Sequence, residues 1–155
     1  MLQDQTAVDS FREFAVEVEP RLRQALTAAL GSEPGKDAAA EALAYAWENW
    51  DRVASMGNPV GYLFTVGRNR GRRWWRGGRR VFYLPLPGRV PWVEPGLPVA
   101  VSRLPDRQRE VVVLLFCFEW TMSEIAEVLD ISKSTVQNHA ERGLASLRKS
   151  LGVEL

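Results

Sequence analysis

The stretch "SEIAEVLDISKSTVQNHAERG", residues 123–143, constrains the fold more than any other part of the chain. Its apolar residues predict a short helix, a tight turn and a second helix, which is the spacing of a helix-turn-helix. Ala126 is small where the two helices must approach, Ile131 closes the turn, and Val136 anchors the second helix. Asp130 stands where such turns usually place glycine, and aspartate tolerates the left-handed backbone better than most residues. A plain amphipathic hairpin shares part of this pattern and remains an alternative.

Two capping patterns frame this motif. Thr121-x-x-Glu124 has the form of a capping box, and Ser132 is placed to cap a final helix that reaches about Ser150. The polar residues of that last helix lie opposite its apolar face, and amides, hydroxyls and cations are the groups that contact base edges and phosphates. The candidate DNA contacts are Lys133, Ser134, Thr135, Gln137, Asn138 and Arg142.

The charges of the chain are segregated, although the formal net charge is only +1. Residues 1–60 carry 5 Lys/Arg against 10 Asp/Glu, and residues 91–155 carry 7 against 9. Residues 61–90 between them carry 8 arginines and no acid. This separation predicts one surface for a polyanion and another for a basic partner.

Most of those arginines fall in "RNRGRRWWRGGRR", residues 68–80. We expect a helix here that starts after Asn58 with Pro59 in its first turn and stops at Gly77-Gly78. Its predicted apolar face comprises Val60, Leu63, Phe64, Gly67 and Gly71, with Trp74 and Trp75 at the edges of that face and packed in the core. The arginines cover the rest of the circumference without any acid, which favours a phosphate track over an ordinary solvated face.

The remaining segments read as helices or connections. Ser10-x-x-Glu13 resembles a capping box that begins the first helix, Pro20 is expected to kink or split that helix, and Gly31 is placed to end it. A second helix is expected from about Asp37 to Trp50. The segment 51–58 is expected to form a loop.

The stretch "YLPLPGRVPWVEPGLP" contains five prolines and no helical period, so it reads as a linker. A helix is expected to follow Leu104-Pro105. The predicted fold is therefore all-α, with two small helical domains at residues 1–80 and 102–155 joined by a Pro-rich linker at residues 81–101.

Composition limits the class of protein. The single cysteine, Cys117, cannot form a disulfide within the chain, which favours a protein of a reducing compartment. No leader and no apolar run long enough for a membrane span is visible, so we expect a soluble cytoplasmic protein. No nucleophile–base pair, metal cluster or phosphate loop is apparent, so we expect no enzyme activity, no metal and no cofactor. His139 is expected to be a surface or phosphate contact on the flank of the last helix.

Taken together, the two blocks resemble a bacterial RNA polymerase sigma factor of the sigma-70 family. The resemblance is to the minimal extracytoplasmic-function (ECF) type, which keeps only regions 2 and 4. The phrases "LP-x-RQRE-V" and "EIAEVL-x-IS-x-x-TV" are characteristic of region 4. In the front block, "D-x-x-x-E-x-L-x-x-AW" and "P-x-x-YL-x-x-x-x-RN" resemble region 2. Together these matches span almost the whole chain outside the linker.

The resemblance implies roles for particular residues. An acidic helix of region 2 would dock on a basic coiled coil of core RNA polymerase, through Asp37 and Glu41 with support from Trp47. The following loop and helix would recognise and help melt the minus-ten promoter element, and region 4 would read the minus-thirty-five element through the last helix. The minus-ten candidates are Arg68, Asn69, Arg72, Arg73 and Arg76. The implied partners are core polymerase, promoter DNA and a possible anti-sigma factor, with the protein itself a monomer.

Some residues depart from the family pattern. Ala40 replaces the usual glutamine before the docking glutamate, and Arg73 replaces a common acid. Gln137, Asn138 and His139 stand where Lys, Ser and Arg are common, which predicts a divergent promoter specificity. Two other functions remain open, namely a dimeric helix-turn-helix regulator that never touches polymerase and a sigma-like decoy that docks without initiating.

Overall fold

The computed structural model describes the backbone of residues 2–75 and 96–152, and the side chains of residues 4–72 and 96–152. Within these ranges the chain forms eight α-helices and no strand, so the predicted all-α fold is confirmed. In chain order the helices are α1 (Leu2–Leu30), α2 (Ser32–Glu48), α3 (Trp50–Ala54), α4 (Pro59–Trp75), α5 (Leu97–Ser102), α6 (Asp106–Phe116), α7 (Met122–Leu129) and α8 (Lys133–Leu151).

Helices α1, α2 and α4 form the front bundle, and small residues let them approach closely. A Cβ built on Gly67 of α4 would lie 2.7 Å from Leu26 Cδ1 of α1 and 3.2 Å from the Ala38 carbonyl oxygen of α2. The predicted apolar face of α4 is confirmed from Val60 to Gly71, because its leucine, phenylalanine and two glycines are buried and Val60 is half-buried. The side chains of Trp74 and Trp75, predicted at the edges of this face, lie outside the described residues.

The junction between α1 and α2 depends on glycine. Gly31 ends α1 as predicted, with φ at 96° and its N–H donating to the Thr27 carbonyl over 2.8 Å. A φ in this range is readily accessible to glycine and strained for most other residues. Gly35 then brings the first turn of α2 directly onto the α1 backbone, since a Cβ there would lie 2.5 Å from both Thr27 N and Thr27 Cα.

The first helix differs from the expectation in two ways. It begins at Leu2, so Ser10 lies in its interior and the predicted capping box there is wrong. Gln5 Nε2 donates to Asp9 Oδ1 over 3.1 Å one turn apart, a pairing that supports helix upstream of Ser10. Pro20 does not split the helix. Both Pro20 and Val16, whose carbonyl loses its helical partner to the proline, are exposed residues, so water can hydrate that carbonyl.

The second helix and the segment after it also differ from the prediction. Helix α2 starts at Ser32, earlier than the expected Asp37. The predicted loop at 51–58 is helical up to Ala54, because α3 buries Val53 completely against the front bundle. Only the last residues of that segment connect α3 to α4.

Helices α5 to α8 form the rear bundle. A Cβ built on Gly143 of α8 would lie 2.7 Å from Val112 Cγ2 of α6, so these two helices are in close contact. Helix α5 packs on α8 and overlaps the range 81–101 that the sequence assigns to the linker. The division of the chain into domains stays a prediction.

The two bundles pack together. Helix α1 lies against α6, and α4 lies against α7. Their buried apolar residues belong to one continuous hydrophobic cluster that runs from Val18 in α1 to Leu147 in α8. The candidate surfaces that the sequence predicts on α2, α4 and α8 are therefore held in a fixed relation to each other in this conformation.

A substitution at Gly35 tests the close approach of α2 to α1. We expect Gly35→Ala to lower the free energy of unfolding by about 2–3 kcal/mol, because the new methyl group would meet backbone atoms that cannot move aside. Urea denaturation followed by circular dichroism measures the change. Gly57→Ala is the matched control, since a Cβ at Gly57 meets nothing within 4 Å. Equal stability of the two variants would contradict the packing.

Candidate nucleic-acid interface

The helix-turn-helix predicted from the sequence is present as α7 and α8. Thr121 Oγ1 accepts a hydrogen bond from Glu124 N over 3.1 Å, and Thr121 N donates to Glu124 Oε1 over 3.3 Å. This reciprocal pair is the predicted capping box. The Thr121 hydroxyl also donates to Glu124 Oε1 over 3.0 Å, and this bond, together with the one from Thr121 N, lowers the pKa of the Glu124 carboxyl. Ser132 Oγ accepts from Thr135 N over 3.1 Å and caps α8. Both caps are confirmed.

The turn between these helices uses Asp130 in the left-handed conformation, with φ 55° and ψ 50°. Its N–H donates to the Glu127 carbonyl over 3.3 Å, and Ile131 N donates to the Ala126 carbonyl over 3.0 Å. These bonds satisfy carbonyls at the end of α7 and turn the chain toward α8. The turn is therefore formed without glycine.

Most of the predicted DNA contacts on α8 lie together on its exposed side. Val136, Ala140 and Leu147 are buried, so this helix presents its opposite face to solvent. The exposed candidates are Lys133, Ser134, Gln137, Asn138 and Arg142. Thr135 is half-buried, and its hydroxyl shares a hydrogen bond of 2.7 Å with Ser132 Oγ, so it serves the cap.

The amide of Gln137 is oriented by its own helix. Gln137 Nε2 donates to Glu141 Oε1 over 3.2 Å, one turn away. The amide oxygen is left as an acceptor, and the neighbouring Asn138 offers both a donor and an acceptor. A pair of exposed amides at this place in α8 is suited to reading adenine edges in the major groove.

His139 lies on the flank of this face and is half-buried. Burial lowers the pKa of its imidazole, and the charges of Arg107 and Arg142 lower it further. Its Nδ1 is buried and has no hydrogen-bond partner among the described residues. The lowered pKa disfavours a positive charge on this ring beside the cations of α8.

The arginine helix α4 is engaged by the rear bundle. Arg68 Nε lies 3.2 Å from Glu110 Oε1 of α6, and Arg72 forms an ion pair with Asp106 at the start of the same helix. Asn69 is exposed. The Arg73 side chain and the whole of Arg76 lie outside the described residues. The expectation that these arginines face outward is therefore wrong for Arg68, whose side chain is only 15% exposed.

Glu110 is the centre of this ion cluster, and only 1% of its side chain is exposed. Arg107 Nη1 donates to Glu110 Oε2 over 3.1 Å, and Arg68 approaches the other oxygen in ion-pair contact without an aligned hydrogen bond. Burial raises the pKa of the Glu110 carboxyl, and the neighbouring arginines oppose that rise. A buried carboxylate needs such arginine partners, because without them its charge would be uncompensated away from water.

A group of aromatic and basic residues on α2, α3 and α4 was not predicted. The Tyr45 and Tyr62 hydroxyls lie 3.0 Å apart, and Arg52 Nη2 donates to both of them. Arg70 also belongs to this group, because its guanidinium lies over the Tyr45 ring, 5.2 Å from the ring centre. Neither arginine forms an ion pair within the described part of the chain, so both keep their charge available for an anion.

The sequence gives only a weak signal for this group of two tyrosines and two arginines. Tyr62 belongs to the "YL" of the region 2 pattern and Arg70 to the arginine stretch, so each could have been noticed. Tyr45 and Arg52 lie in other elements, and no periodicity links them to α4. Only the packing of α2 and α3 on α4 brings the four side chains together.

The predicted docking residues occupy two sides of α2. Asp37 is exposed and Glu41 half-buried, and one helical turn places them on one face. Trp47 is rotated by about 120° from Glu41 around the helix axis. Its ring lies 5.2 Å from that of Phe11 in α1, and it remains 45% exposed. Trp47 therefore belongs to an aromatic group with α1, away from the acidic pair.

In the part of the chain that the structure describes, no group of three or more His, Cys, Asp or Glu side chains could hold a metal ion. Cys117 is half-buried, and burial raises the pKa of its thiol. None of the described helices is both long enough and apolar enough to cross a bilayer.

Comparison with known proteins identifies the helix-turn-helix. Residues 97–147 match the family model described as sigma-70, region 4. The ECF RNA polymerase sigma factor SigW of Bacillus subtilis (strain 168) is 41% identical over 51 residues, which cover 33% of this chain and 27% of SigW. The chain is thus similar in sequence to about a quarter of that relative.

Solved structures extend the likeness to almost the whole chain. The sigma factor RpoE, solved in complex with the anti-sigma factor NepR from Bartonella quintana, matches with a TM-score of 0.61 at 20% identity. The match covers 94% of this chain and 99% of that one. CnrH, solved in complex with the cytosolic domain of CnrY, matches with a TM-score of 0.60 at 22% identity over 96% of this chain and 94% of that one.

The match to sigma-70 region 4 therefore falls on the rear bundle and includes its helix-turn-helix. Across both bundles the chain has the fold of an ECF sigma factor, and the resemblance predicted from the sequence is confirmed.

The backbone at Asp130 provides a test of the helix-turn-helix turn. We expect Asp130→Gly to raise the free energy of unfolding by about 0.5–1 kcal/mol, because glycine adopts the left-handed conformation without a Cβ penalty. Asp130→Val should lower it instead, since a β-branched residue is strained there. Thermal denaturation of the two variants measures both effects. The same sign for both substitutions would contradict the observed turn.

Proposed function

We propose that this protein is a transcription initiation factor that binds core RNA polymerase and directs it to specific promoters. The observation that carries the proposal is the exposed amide and cationic face of α8, in a segment that matches sigma-70 region 4. This face would read the minus-thirty-five element in the major groove. The fold shared with sigma factors over nearly the whole chain supports a second DNA-binding surface on the front bundle.

The front bundle would supply polymerase docking and minus-ten recognition. Asp37 and Glu41 present negative charge on one face of α2, which suits a basic partner surface. On α4, Arg68, Asn69 and Arg72 are the described minus-ten candidates, and Arg73 and Arg76 remain predictions. Arg52 and Arg70, which form no ion pair among the described residues, add positive charge on the other side of α4, around Tyr45. Melting requires unstacking of bases, so the energy of polymerase binding must contribute to it.

Other parts of the proposal follow from this role. The protein would act in the cytoplasm as a monomer, without enzyme activity, metal or cofactor, and an anti-sigma factor would be a further partner. The structural neighbour RpoE was solved with the anti-sigma factor NepR, which supports that last point. A decoy that docks without initiating is the second candidate, because Arg68 and Arg72 of α4 are engaged by acids in this conformation.

Run-off transcription from genomic fragments tests polymerase docking. We expect wild-type protein with core polymerase to produce specific starts, and Asp37→Lys with Glu41→Lys to reduce them at least about tenfold, because reversed charge opposes a basic partner. Glu13→Lys with Glu17→Lys is the matched control, with the same charge change on exposed residues of α1.

The outcomes separate the alternatives. Starts that persist in the Asp37 and Glu41 double variant would contradict docking through α2. Absence of any start, with DNA bound by a dimer of the protein alone, would favour a regulator. Binding to core polymerase without any start would favour a decoy.

Binding selection from duplexes with a randomised segment tests the assignment of α8. We expect Gln137→Ala to lose preference at a single base position, at a cost of about 1–3 kcal/mol for the lost base contact. Lys133→Ala should weaken binding to all sequences alike, because a phosphate contact carries no sequence information. An unchanged base preference in Gln137→Ala would show that this amide does not contact a base edge.

A further inference from the structure

The exposed face of α8 carries a single acid. Glu141 is the only Asp or Glu between Lys133 and Leu151, a stretch that holds four Lys or Arg residues. It is exposed and lies one turn beyond Gln137, about 40° further around the helix axis. A carboxylate on a surface assigned to DNA repels the phosphates. Glu141 therefore lies where long-range electrostatics alone would disfavour an acid.

Glu141 has a defined partner, which is the side-chain amide of Gln137. Gln137 Nε2 donates to Glu141 Oε1 over 3.2 Å. A carboxylate has only acceptors, so the amide must present its nitrogen to Glu141 and its oxygen on the opposite side. Within the described part of the chain, no ion pair draws the Glu141 carboxylate toward a cation. The carboxylate is therefore free to hold this amide in one orientation.

This hydrogen bond becomes more important when α8 meets DNA. In the free protein both side chains are exposed, and water competes for their polar atoms. A contact in the major groove removes much of that water, and a hydrogen bond to a charged acceptor is stronger where the local dielectric is lower. Turning the amide over at that stage would set its oxygen against a carboxylate oxygen. A bound base therefore meets the orientation that Glu141 imposes.

The amide oxygen of Gln137 can discriminate between bases. In the major groove adenine presents its N6 amino group and cytosine its N4 amino group, and both groups donate hydrogen bonds. Guanine presents the acceptors N7 and O6, and thymine presents the acceptor O4. An amide oxygen that faces an acceptor leaves both groups without a hydrogen bond, which is costly once water is excluded. Adenine gains a further contact, because Nε2 keeps a second N–H that can donate to N7.

We propose that Glu141 is a positioning residue that makes Gln137 select adenine or cytosine, the bases with an exocyclic amino group in the major groove, over guanine or thymine. The inference rests on the proposed function and names the class of base at one contact of its α8 reading face. Without a carboxylate at position 141 the amide can turn over about its last side-chain bond. Removing the carboxylate therefore relaxes the base preference and does not abolish binding.

Competition binding with the full-length protein tests the proposal. Selection from randomised duplexes gives the preferred site, and Gln137→Ala identifies the base position that this amide contacts. Four duplexes that differ only at that position then compete with a fluorescein-labelled site in fluorescence anisotropy. We expect wild type to prefer adenine or cytosine over guanine and thymine by about tenfold, which is within the range of a good base contact. Glu141→Gln should reduce this ratio to about twofold, because a second amide can pair with either orientation of Gln137.

Two further variants separate positioning from a general effect of charge. Glu141→Asp keeps a carboxylate one turn from the Gln137 amide, so it should retain most of the wild-type preference. Glu127→Gln makes the same change in net charge as Glu141→Gln, on an exposed residue of α7. It should tighten binding to all four duplexes alike and leave their ratio unchanged, because phosphate contacts do not depend on base identity. Circular dichroism confirms that each variant is folded.

The outcomes are distinct. A relaxed preference in Glu141→Gln, with the preference retained in Glu141→Asp and Glu127→Gln, supports positioning. A wild-type preference for guanine or thymine, an unchanged ratio in Glu141→Gln, or an equal loss in the Glu127 control overturns it. Run-off starts from wild-type protein report on the proposed function separately. Starts without a change of ratio would leave that function standing and remove the role of Glu141, and a relaxed ratio without starts would do the reverse.

Discussion

The buried carboxylate of Glu110 is the interaction on which the arrangement of the two bundles depends most. An acid on α6 that is removed from water must meet positive charge, because an isolated buried carboxylate is costly. Arg107 of its own helix supplies one partner, and Arg68 of the front bundle supplies the other. Helix α6 packs on α1, and its buried acid meets α4 through this ion pair. Charge and apolar burial thus act at the same boundary, since the hydrophobic cluster continues across it.

Close helix packing is the second constraint, and it depends on residues with little or no side chain. Gly67 lets α4 approach α1 and α2 in the front bundle, and Gly143 lets α8 approach α6 in the rear bundle. Gly35 brings α2 directly onto the backbone of α1. The alanines of α2 act in the same way, because four of them are buried. Dense packing of this kind holds the candidate binding faces of α2, α4 and α8 at defined angles.

The helix-turn-helix could be predicted because its signals are local. Both caps use residues three positions apart, and Ile131 closes a turn between adjacent helices. The first helix shows the limit of such reasoning. Ser10 and Glu13 have the spacing of a capping box, but the same spacing occurs inside a helix when upstream residues continue it. Pro20 likewise does not split α1, because it lies on an exposed face where water can hydrate the carbonyl that loses its helical partner.

The sequence by itself determined the helical class, the exposed polar face of α8 and the concentration of arginine on α4. These features follow from periodicity and charge within single segments, where neighbours in sequence are neighbours in space. Only the tertiary structure decided that Arg68 and Arg72 face Asp106 and Glu110, and that Arg52 and Arg70 gather around Tyr45. The physical reason is that an ion pair across a bundle boundary depends on how two helices pack. Composition shows which charges exist, and packing selects the partner that each charge meets.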